Sequence, residues 1–369
     1  MTQDPLASIN GSSPSRRRRG LPSVSQSEQC VSKSCLGRCA REPVVWKKRS
    51  LSMSNSTKPQ PAMHPPLDRG SSSFAGKTVL ILGGNAGLGR SAAEEFAQRG
   101  VRVIILGRSK ERGEQAVTQI KSATGNPEIH LLVADMSSMG SLRAAADQLL
   151  SRFDALHAIL CNAAIPGYDP TVCQERTGEG HNKLFAANYL GHYLMTRLLL
   201  SLLLQSGGRV VFIAAPQMVY RTPPDLDDLR FRQKDAWKSV YVAAKIACFC
   251  MAMELTRRHP SMPVAIIDPG IIETDFQKDA PLIMGVMVKL GLFRNTADAV
   301  GKLYAWLSLA PSIQEDVDIR GQNGRLWTTR REVPLKRDRD HLVFAGRTLD
   351  RAYQARLWDE SARCVDLTS

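Results

Sequence analysis

Residues 78–89 read TVLILGGNAGLG, a short apolar run that passes directly into a glycine-rich loop. A run that is apolar at every position is typical of a strand buried on both faces of a parallel sheet. Glycines after such a strand allow a tight turn, and a helix that begins there presents unpaired N–H groups and a positive dipole end. The stretch therefore predicts the first strand, phosphate loop and helix of an α/β fold.

The same alternation continues along the chain. Helical stretches are predicted near residues 88–99, 109–123, 138–152, 180–206, 238–259 and 296–310. The predicted strands are Thr78–Gly83, Val101–Leu106, His130–Ala134, Ala158–Asn162, Val210–Ala214, Val264–Ile267 and Gly324–Thr328. Strands and helices that alternate at this spacing predict a Rossmann-type doubly wound parallel sheet in a single domain.

Residues 1–74 have a different composition, rich in Ser, Pro and Arg. They carry +8 of the formal net charge of +14. Such a segment cannot bury a core, so we expect a disordered tail over 1–74 and a folded domain over 75–369, including a C-terminal helix. An Arg-rich, acid-poor segment is also typical of a transit peptide. We therefore expect a cytoplasmic protein, or a plastid or mitochondrial one if the tail is such a peptide.

Several classes of protein find no support in the sequence. The folded part has no basic stripe interleaved with aromatic residues, so we expect no nucleic-acid partner. No apolar stretch reaches the roughly 20 residues of a transmembrane helix. The GxSxG motif of α/β-hydrolases is absent, and the seven histidines do not cluster with acidic or thiol ligands, so no metal site is predicted. The eight cysteines form no paired framework and are read as reduced thiols.

The glycine-rich loop has the spacing GxxxGxG. It runs from Gly83 through Asn85 to Gly87, Leu88 and Gly89. Because the loop lies between the first strand and the first helix, it is a candidate for binding the pyrophosphate of a dinucleotide.

The end of the second strand indicates which dinucleotide. An NAD site usually has an acidic residue there, whereas this chain has Gly107 followed by Arg108. Arg90, directly after the loop, is a second cation that could bind a 2′-phosphate, although both could also be ordinary surface arginines. The missing acid favours NADP(H). Asp135 and Met136, after the third strand, are further cofactor candidates, and Asp135 could instead be a helix N-cap.

Tyr241 and Lys245 are four residues apart in a predicted helix, so both project from the same face. A tyrosine hydroxyl has a pKa of about 10. A neighbouring ammonium and a positively charged nicotinamide would both lower the pKa of that tyrosine. It could then exchange a proton with an alcohol or carbonyl while hydride moves to or from the cofactor.

Over residues 75–330 the chain resembles the short-chain dehydrogenase/reductase family. Its glycine loop matches that family's cofactor loop, and the segment around Asn162 and Ala163 is similar to the family's NNAG segment. The resemblance implies that Tyr241 is the general acid/base, that Lys245 assists it, and that Asn188 completes the catalytic group. It also implies that Tyr241 and Lys245 contact the cofactor. Pro269, Gly270 and Thr274 are implied as further cofactor contacts. Within the family, the residues around Asn188 and Tyr241 are similar to the retinol dehydrogenase and protochlorophyllide reductase branch.

One position departs from the family pattern. Ala215 stands where the family has the serine that donates a hydrogen bond to the substrate oxygen. Losing such a donor costs about 10²–10³ in rate. Gln217 could replace it, or could be an exposed loop residue. The chain could also reduce a conjugated double bond, as a protochlorophyllide reductase does, or bind NADP(H) as a sensor or scaffold without catalysis.

The segment that usually covers the substrate in this family is apolar here. Residues 281–293 include Met284 and Met287, which suit an adaptable apolar wall. The segment predicts a lipophilic substrate, or else a core or interface helix. The resemblance also implies a homodimer contact through the Tyr241/Lys245 helix, where Cys248 and Cys250 are read as packing residues.

Overall fold

The computed structural model describes residues 74–213, 223–233, 235–268, 300–301, 304–305, 308–309, 326–328, 332–333 and 350–367. The predicted tail therefore lies outside the described residues, except for Phe74. That side chain is buried and packs against the first helix, with the guanidinium of Arg99 5.6 Å from its ring centre.

The described strands form one sheet in the order β3-β2-β1-β4-β5-β6-β7-β8. Neighbouring strands are parallel from β3 to β7, and β8 is antiparallel to β7. This arrangement confirms the Rossmann-type doubly wound sheet. The strands are β1 Thr78–Leu82, β2 Arg102–Gly107, β3 Ile129–Val133, β4 Ala158–Cys161, β5 Arg209–Ile213, β6 Val264–Asp268, β7 Leu326–Thr328 and β8 Glu332–Val333.

Helices lie on both faces of the sheet. The described ones are α1 Gly87–Gln98, α2 Lys110–Thr124, α3 Met139–Arg152, α4 Pro170–Gln174, α5 Lys183–Phe185, α6 Gly191–Leu198, α7 Leu200–Gln205, α8 Val240–Arg258 and α9 Arg351–Cys364. No helix among the described residues is long and apolar enough to cross a membrane.

The continuous apolar runs are explained by two separate cores. In β1, Leu80 and Leu82 belong to the core beneath α3, α6 and α8, whereas Val79 and Ile81 belong to the core beneath α1 and α2. Successive side chains of a strand point to opposite faces, so a strand covered on both faces needs an apolar residue at every position. Each such buried side chain contributes about 1.5–3 kcal/mol relative to an exposed one.

The predicted helix over 180–206 is interrupted in the structure. A π-helical turn, Ala186–Leu190, joins α5 to α6, and Leu199 separates α6 from α7 with φ −99° and ψ 4°. An inserted π-turn changes which side chains face the sheet, and such turns occur frequently at functional sites. Asn188 lies at the centre of this turn.

Helix α9 packs against α6, the π-helical turn and α8 of the same chain. The hydroxyl of Tyr193 donates to the carbonyl of Trp358, 2.9 Å away, and Tyr189 and Ser361 share a hydrogen bond of 2.7 Å between their hydroxyls. Residues 243–255 of α8 are all buried within the single chain. A homodimer contact through this helix stays a prediction.

Candidate active site

The glycine loop joins β1 to α1 as expected. Gly83 and Gly87 have φ of +83° and +54°, which L-residues with side chains rarely adopt. The N–H groups of Gly83 and Gly84 both donate to the carbonyl of Leu106, at 2.9 and 3.3 Å. These bonds connect the loop to the end of β2, where the 2′-phosphate contact is predicted.

Close backbone contacts fix the position of the loop. A Cβ atom at Gly89 would collide with the carbonyl oxygen of Gly83 and lie 2.6 Å from Nδ2 of Asn162. That amide donates to the Gly83 carbonyl over 2.8 Å, and the Ala163 N–H donates to Leu82 over 2.7 Å. Asn162 and Ala163 thus hold the loop in place by connecting it to β4.

The loop fits the pyrophosphate of a dinucleotide. Beside Gly87, a Cβ atom would meet no atom of the described residues within 4 Å. Helix α1 begins there, and within the described part of the chain no side chain caps its first N–H groups. Open space beside an uncapped helix N-terminus is the geometry that binds phosphate in this fold. Gly83, Gly87 and Gly89 would therefore hold the cofactor.

The two candidate arginines differ in their surroundings. The Nε of Arg90 donates to Glu94 over 2.9 Å, and its guanidinium also contacts Gln119. Arg108 is exposed directly after β2 and makes no ion pair within the part of the chain that the structure describes. Arg108 is consequently the better placed of the two to bind a phosphate group.

Asp135 and Met136 follow β3. One carboxylate oxygen of Asp135 accepts from the N–H and the hydroxyl of Ser137, at 2.8 and 2.7 Å. The N-cap reading of Asp135 is wrong, because Ser138 caps α3 by accepting from the N–H of Ser141. Met136 is buried, and its carbonyl lies against Gly191, where a Cβ atom would collide with it.

Asn188 connects the π-turn to the loop after β4. Its side-chain amide accepts from the N–H of Ile165 over 2.6 Å and donates to the carbonyl of the same residue over 2.9 Å. The thiol of Cys248 donates to the backbone carbonyl of Asn188 over 3.2 Å. Asn188 is fully buried, so it positions the loop against α8.

Tyr241 and Lys245 lie on the first turns of α8, beside the carboxyl end of β5. The Lys245 Nζ is 5.9 Å from the ring centre of Tyr241 and donates to the carbonyl of Ile213 over 3.3 Å. Burial raises the pKa of Tyr241 to about 12 and lowers the pKa of Lys245. The direction for the tyrosine is opposite to the sequence-based expectation, because desolvation of the phenolate and the nearby Cys248 both raise the pKa of Tyr241.

Three residues of this region were missed as site residues. His192 is 2% exposed, and its burial together with the charge of Lys245 lowers its pKa to about 3. Gly167 lies against the side chain of Tyr241, and Tyr168 follows it. Only His192 had a sequence signal, since it lies one helical turn after Asn188.

Other predicted features lie outside the described residues: Ala215, Gln217, Pro269, Gly270, Thr274 and residues 281–293. The described cysteines, Cys161, Cys173, Cys248, Cys250 and Cys364, are free thiols, and Cys248 and Cys250 are buried packing residues as expected. No group of acidic, histidine or cysteine side chains able to hold a metal ion occurs among the described residues.

Comparison with known proteins agrees with this geometry. Residues 77–224 match the family model for short chain dehydrogenases. Polyprenol dehydrogenase of Mus musculus is 27% identical over 300 residues, which cover 78% of this chain and 83% of that protein. Retinol dehydrogenase 14 of Homo sapiens is 28% identical over 312 residues, which cover 79% of this chain and 87% of that protein.

A solved structure supports the fold independently. The crystal structure of an uncharacterized Mycobacterium paratuberculosis protein superimposes with a TM-score of 0.58 at 24% identity, covering 80% of this chain and 95% of that one. With the parallel sheet, the glycine loop and the Tyr241/Lys245 pair, the sequence matches identify the class. The chain is similar to the short-chain dehydrogenase/reductase family, a family of oxidoreductases that bind nicotinamide cofactors, and among its members to the retinol dehydrogenase-like branch.

Proposed function

We propose that the chain is an NADP(H)-dependent reductase of lipophilic carbonyl compounds. The observation that carries the proposal is the position of Tyr241 and Lys245 at the carboxyl end of β5, on the same edge of the sheet as the glycine loop. Ligands of open α/β sheets bind at this edge. A buried tyrosine with a pKa of about 12 is protonated at neutral pH, so it is ready to donate a proton to a carbonyl.

The chain's own residues divide the work in the following way. Bound NADPH would supply the hydride that forms the new C–H bond. Tyr241 would give its hydroxyl proton to the carbonyl oxygen, which becomes an alcohol. Lys245 would lie over the ring of Tyr241, and its cationic charge would stabilise the tyrosinate that remains. Asn188 would hold the loop after β4 against α8, so that the substrate meets a fixed wall.

A lipophilic substrate is favoured by two observations. The similar proteins are named for polyprenol and retinol, which are both long apolar alcohols. Residues 281–293, which follow the family's cofactor segment, are predominantly apolar in this chain. An apolar wall with a few polar groups at the reacting end is the usual form of such a pocket.

The function is tested with the full-length protein. NADPH and NADH are titrated by nicotinamide fluorescence, and polyprenals, retinal and apolar enones are then offered while loss of the reduced cofactor is followed. Turnover of an aldehyde supports the proposal, and turnover of the enones alone would assign double-bond reduction instead. Tight NADPH binding without turnover would favour a sensor or scaffold role. Ala215 makes this role the main alternative, because the family's serine is missing there.

The cofactor preference is tested at Arg108. We expect Arg108→Ala to weaken NADPH binding by about 10- to 100-fold, because a hydrogen bond to a charged group is worth about 1.5–3 kcal/mol. Binding of NADH should change little, since NADH lacks the 2′-phosphate. The matched control is Arg90→Ala, whose guanidinium is already paired with Glu94, so its effect on NADPH should be small. Equal losses for both cofactors in Arg108→Ala would contradict the assignment.

The pH dependence of the reduction follows from the buried tyrosine. The proton donor is the neutral phenol, and its pKa of about 12 lies far above the working range. At saturating NADPH we therefore expect kcat/KM for carbonyl reduction to stay level from about pH 6 to about pH 9. A steep fall in kcat/KM between these pH values, absent from the residual activity of Tyr241→Phe, would show that Tyr241 ionises in this range and would contradict the prediction.

A further inference from the structure

We propose that Asn85 determines the cofactor specificity together with Arg108. Its side-chain amide donates to the 2′-phosphate of NADP(H), and Gly107 leaves the space that this amide occupies. The inference rests on the NADP(H) preference in the proposed function, because it names a second residue for the same phosphate. It does not depend on which compound the chain reduces, so cofactor binding alone can test it.

The amide of Asn85 lies against the last residue of β2. A Cβ atom at Gly107 would be 3.2 Å from both Cγ and Oδ1 of Asn85 and 3.6 Å from its Nδ2. Because these three amide atoms are at nearly equal distances, the flat face of the amide is turned towards Gly107. The side chain therefore lies at the strand end where an NAD site usually has an acidic residue.

The backbone on both sides of this contact is fixed. A Cβ atom at Gly84, directly before Asn85, would be 2.6 Å from Cγ2 of Ile105, so the loop backbone lies directly on β2. The carbonyl of Gly107 accepts from the N–H of Ala134 over 3.1 Å, which holds the strand end in place. A side chain added at position 107 would consequently displace the amide of Asn85 and not the backbone.

The amide is available to a ligand. Asn85 is half-buried, and its side chain makes no hydrogen bond within the part of the chain that the structure describes. A side-chain amide has two N–H donors. Arg108 follows Gly107 directly and is exposed, so a neutral donor and a cation lie at the same strand end. Hydrogen bonds to an ionised acceptor such as a phosphate are the strong ones.

The charge at this strand end also suits a phosphate. Helix α2 begins at Lys110, two residues after Arg108, so the positive end of its dipole lies there. An acidic side chain at position 107 would meet the amide of Asn85 and would repel a phosphate. The glycine at this position therefore serves the amide and the phosphate together.

The test is a double-mutant cycle in the full chain, read by titration with NADPH and with NADH. We expect Asn85→Ala to weaken NADPH binding by about 10- to 100-fold and NADH binding by less than about 3-fold, because only the bond to the 2′-phosphate is lost. Gly107→Ala should weaken NADPH binding by about 3- to 10-fold, since its methyl group displaces the amide. In the double variant the second substitution should cause no further loss.

The control for the glycine variant is Gly140→Ala, which should leave both affinities unchanged, because no described atom lies within 4 Å of its Cβ position. Additive losses in the double variant would overturn the inference, because they would show that the methyl group at position 107 acts on the cofactor itself. If the wild type prefers NADPH and Asn85→Ala keeps that preference, only this inference fails. Equal affinity of the wild type for NADPH and NADH would remove the proposed cofactor preference as well.

Two nucleotide fragments isolate the phosphate. Adenosine 2′,5′-bisphosphate and adenosine 5′-monophosphate differ only in the 2′-phosphate, and both are used as competitors of NADPH. In Asn85→Ala the bisphosphate should lose its advantage over the monophosphate by about the factor that NADPH loses relative to NADH. Each ratio is measured within one variant, so a general loss of stability cancels. An unchanged ratio would show that the amide contacts another part of the cofactor, which would overturn the inference.

Discussion

We expect Tyr241→Phe to lower kcat for carbonyl reduction by about 10²–10⁴-fold, because a positioned general acid contributes a factor of this size. The phenylalanine ring would occupy the same space beside Gly167 and Lys245, so only the hydroxyl group is lost. The measurement is steady-state reduction of the best aldehyde at saturating NADPH. The loss should fall on kcat and on kcat/KM alike, as for an interaction made only in the transition state.

The control for this variant is its cofactor affinity and thermal stability. Tyr241 is largely buried, and removing its hydroxyl leaves no new cavity, so Tm should move by no more than a few degrees. Full turnover by Tyr241→Phe would remove this residue from the chemistry. Lost turnover together with lost NADPH binding would instead indicate a damaged site.

We expect Gly89→Ala to destabilise the protein by about 3 kcal/mol, because the new methyl group would collide with the carbonyl of Gly83. The nearest atoms are backbone atoms of Gly83, which cannot move aside as the end of a flexible side chain could. For a domain of this size, such a loss lowers Tm by roughly 6–12 °C. NADPH binding should weaken as well, because the methyl group would displace the Asn162 amide from the loop.

Gly140→Ala is the matched control for this prediction. Gly140 lies in the first turn of α3, its φ is not positive, and nothing among the described residues would meet its Cβ within 4 Å. The same substitution should there raise stability by about 0.5–1 kcal/mol, since alanine favours a helix more than glycine does. Equal Tm values for the two alanine variants would contradict the close approach at Gly89.

The architecture could be predicted from the sequence because the sheet is covered on both faces. Burial on both faces requires apolar residues at every strand position, and this leaves a visible run, as in Val79 to Leu82. The glycine loop could also be predicted, because its backbone geometry excludes most side chains and so requires glycine. Strand and helix ends were less exact, and β8 has only two residues, too few to leave a pattern.

Much of the site could not be predicted in this way. The π-turn around Asn188 depends on how the helix packs between α8 and the loop after β4, and no local periodicity encodes it. The contact of Gly167 with Tyr241 joins residues that are distant in the sequence, so no motif contains it. By contrast, the pairing of Arg90 with Glu94 has i,i+4 spacing and could have been expected on a helix.

The position of α9 also has a consequence for how the chain is made. Leu357, Trp358 and Ala362 of this helix are almost wholly buried, so it forms part of the same core as α8. Synthesis delivers these residues after the described strands and the Tyr241 helix. Until then the apolar residues of α8 that contact α9 lack their cover. A chain cut before α9 would therefore leave part of its core open to water and should be prone to aggregation.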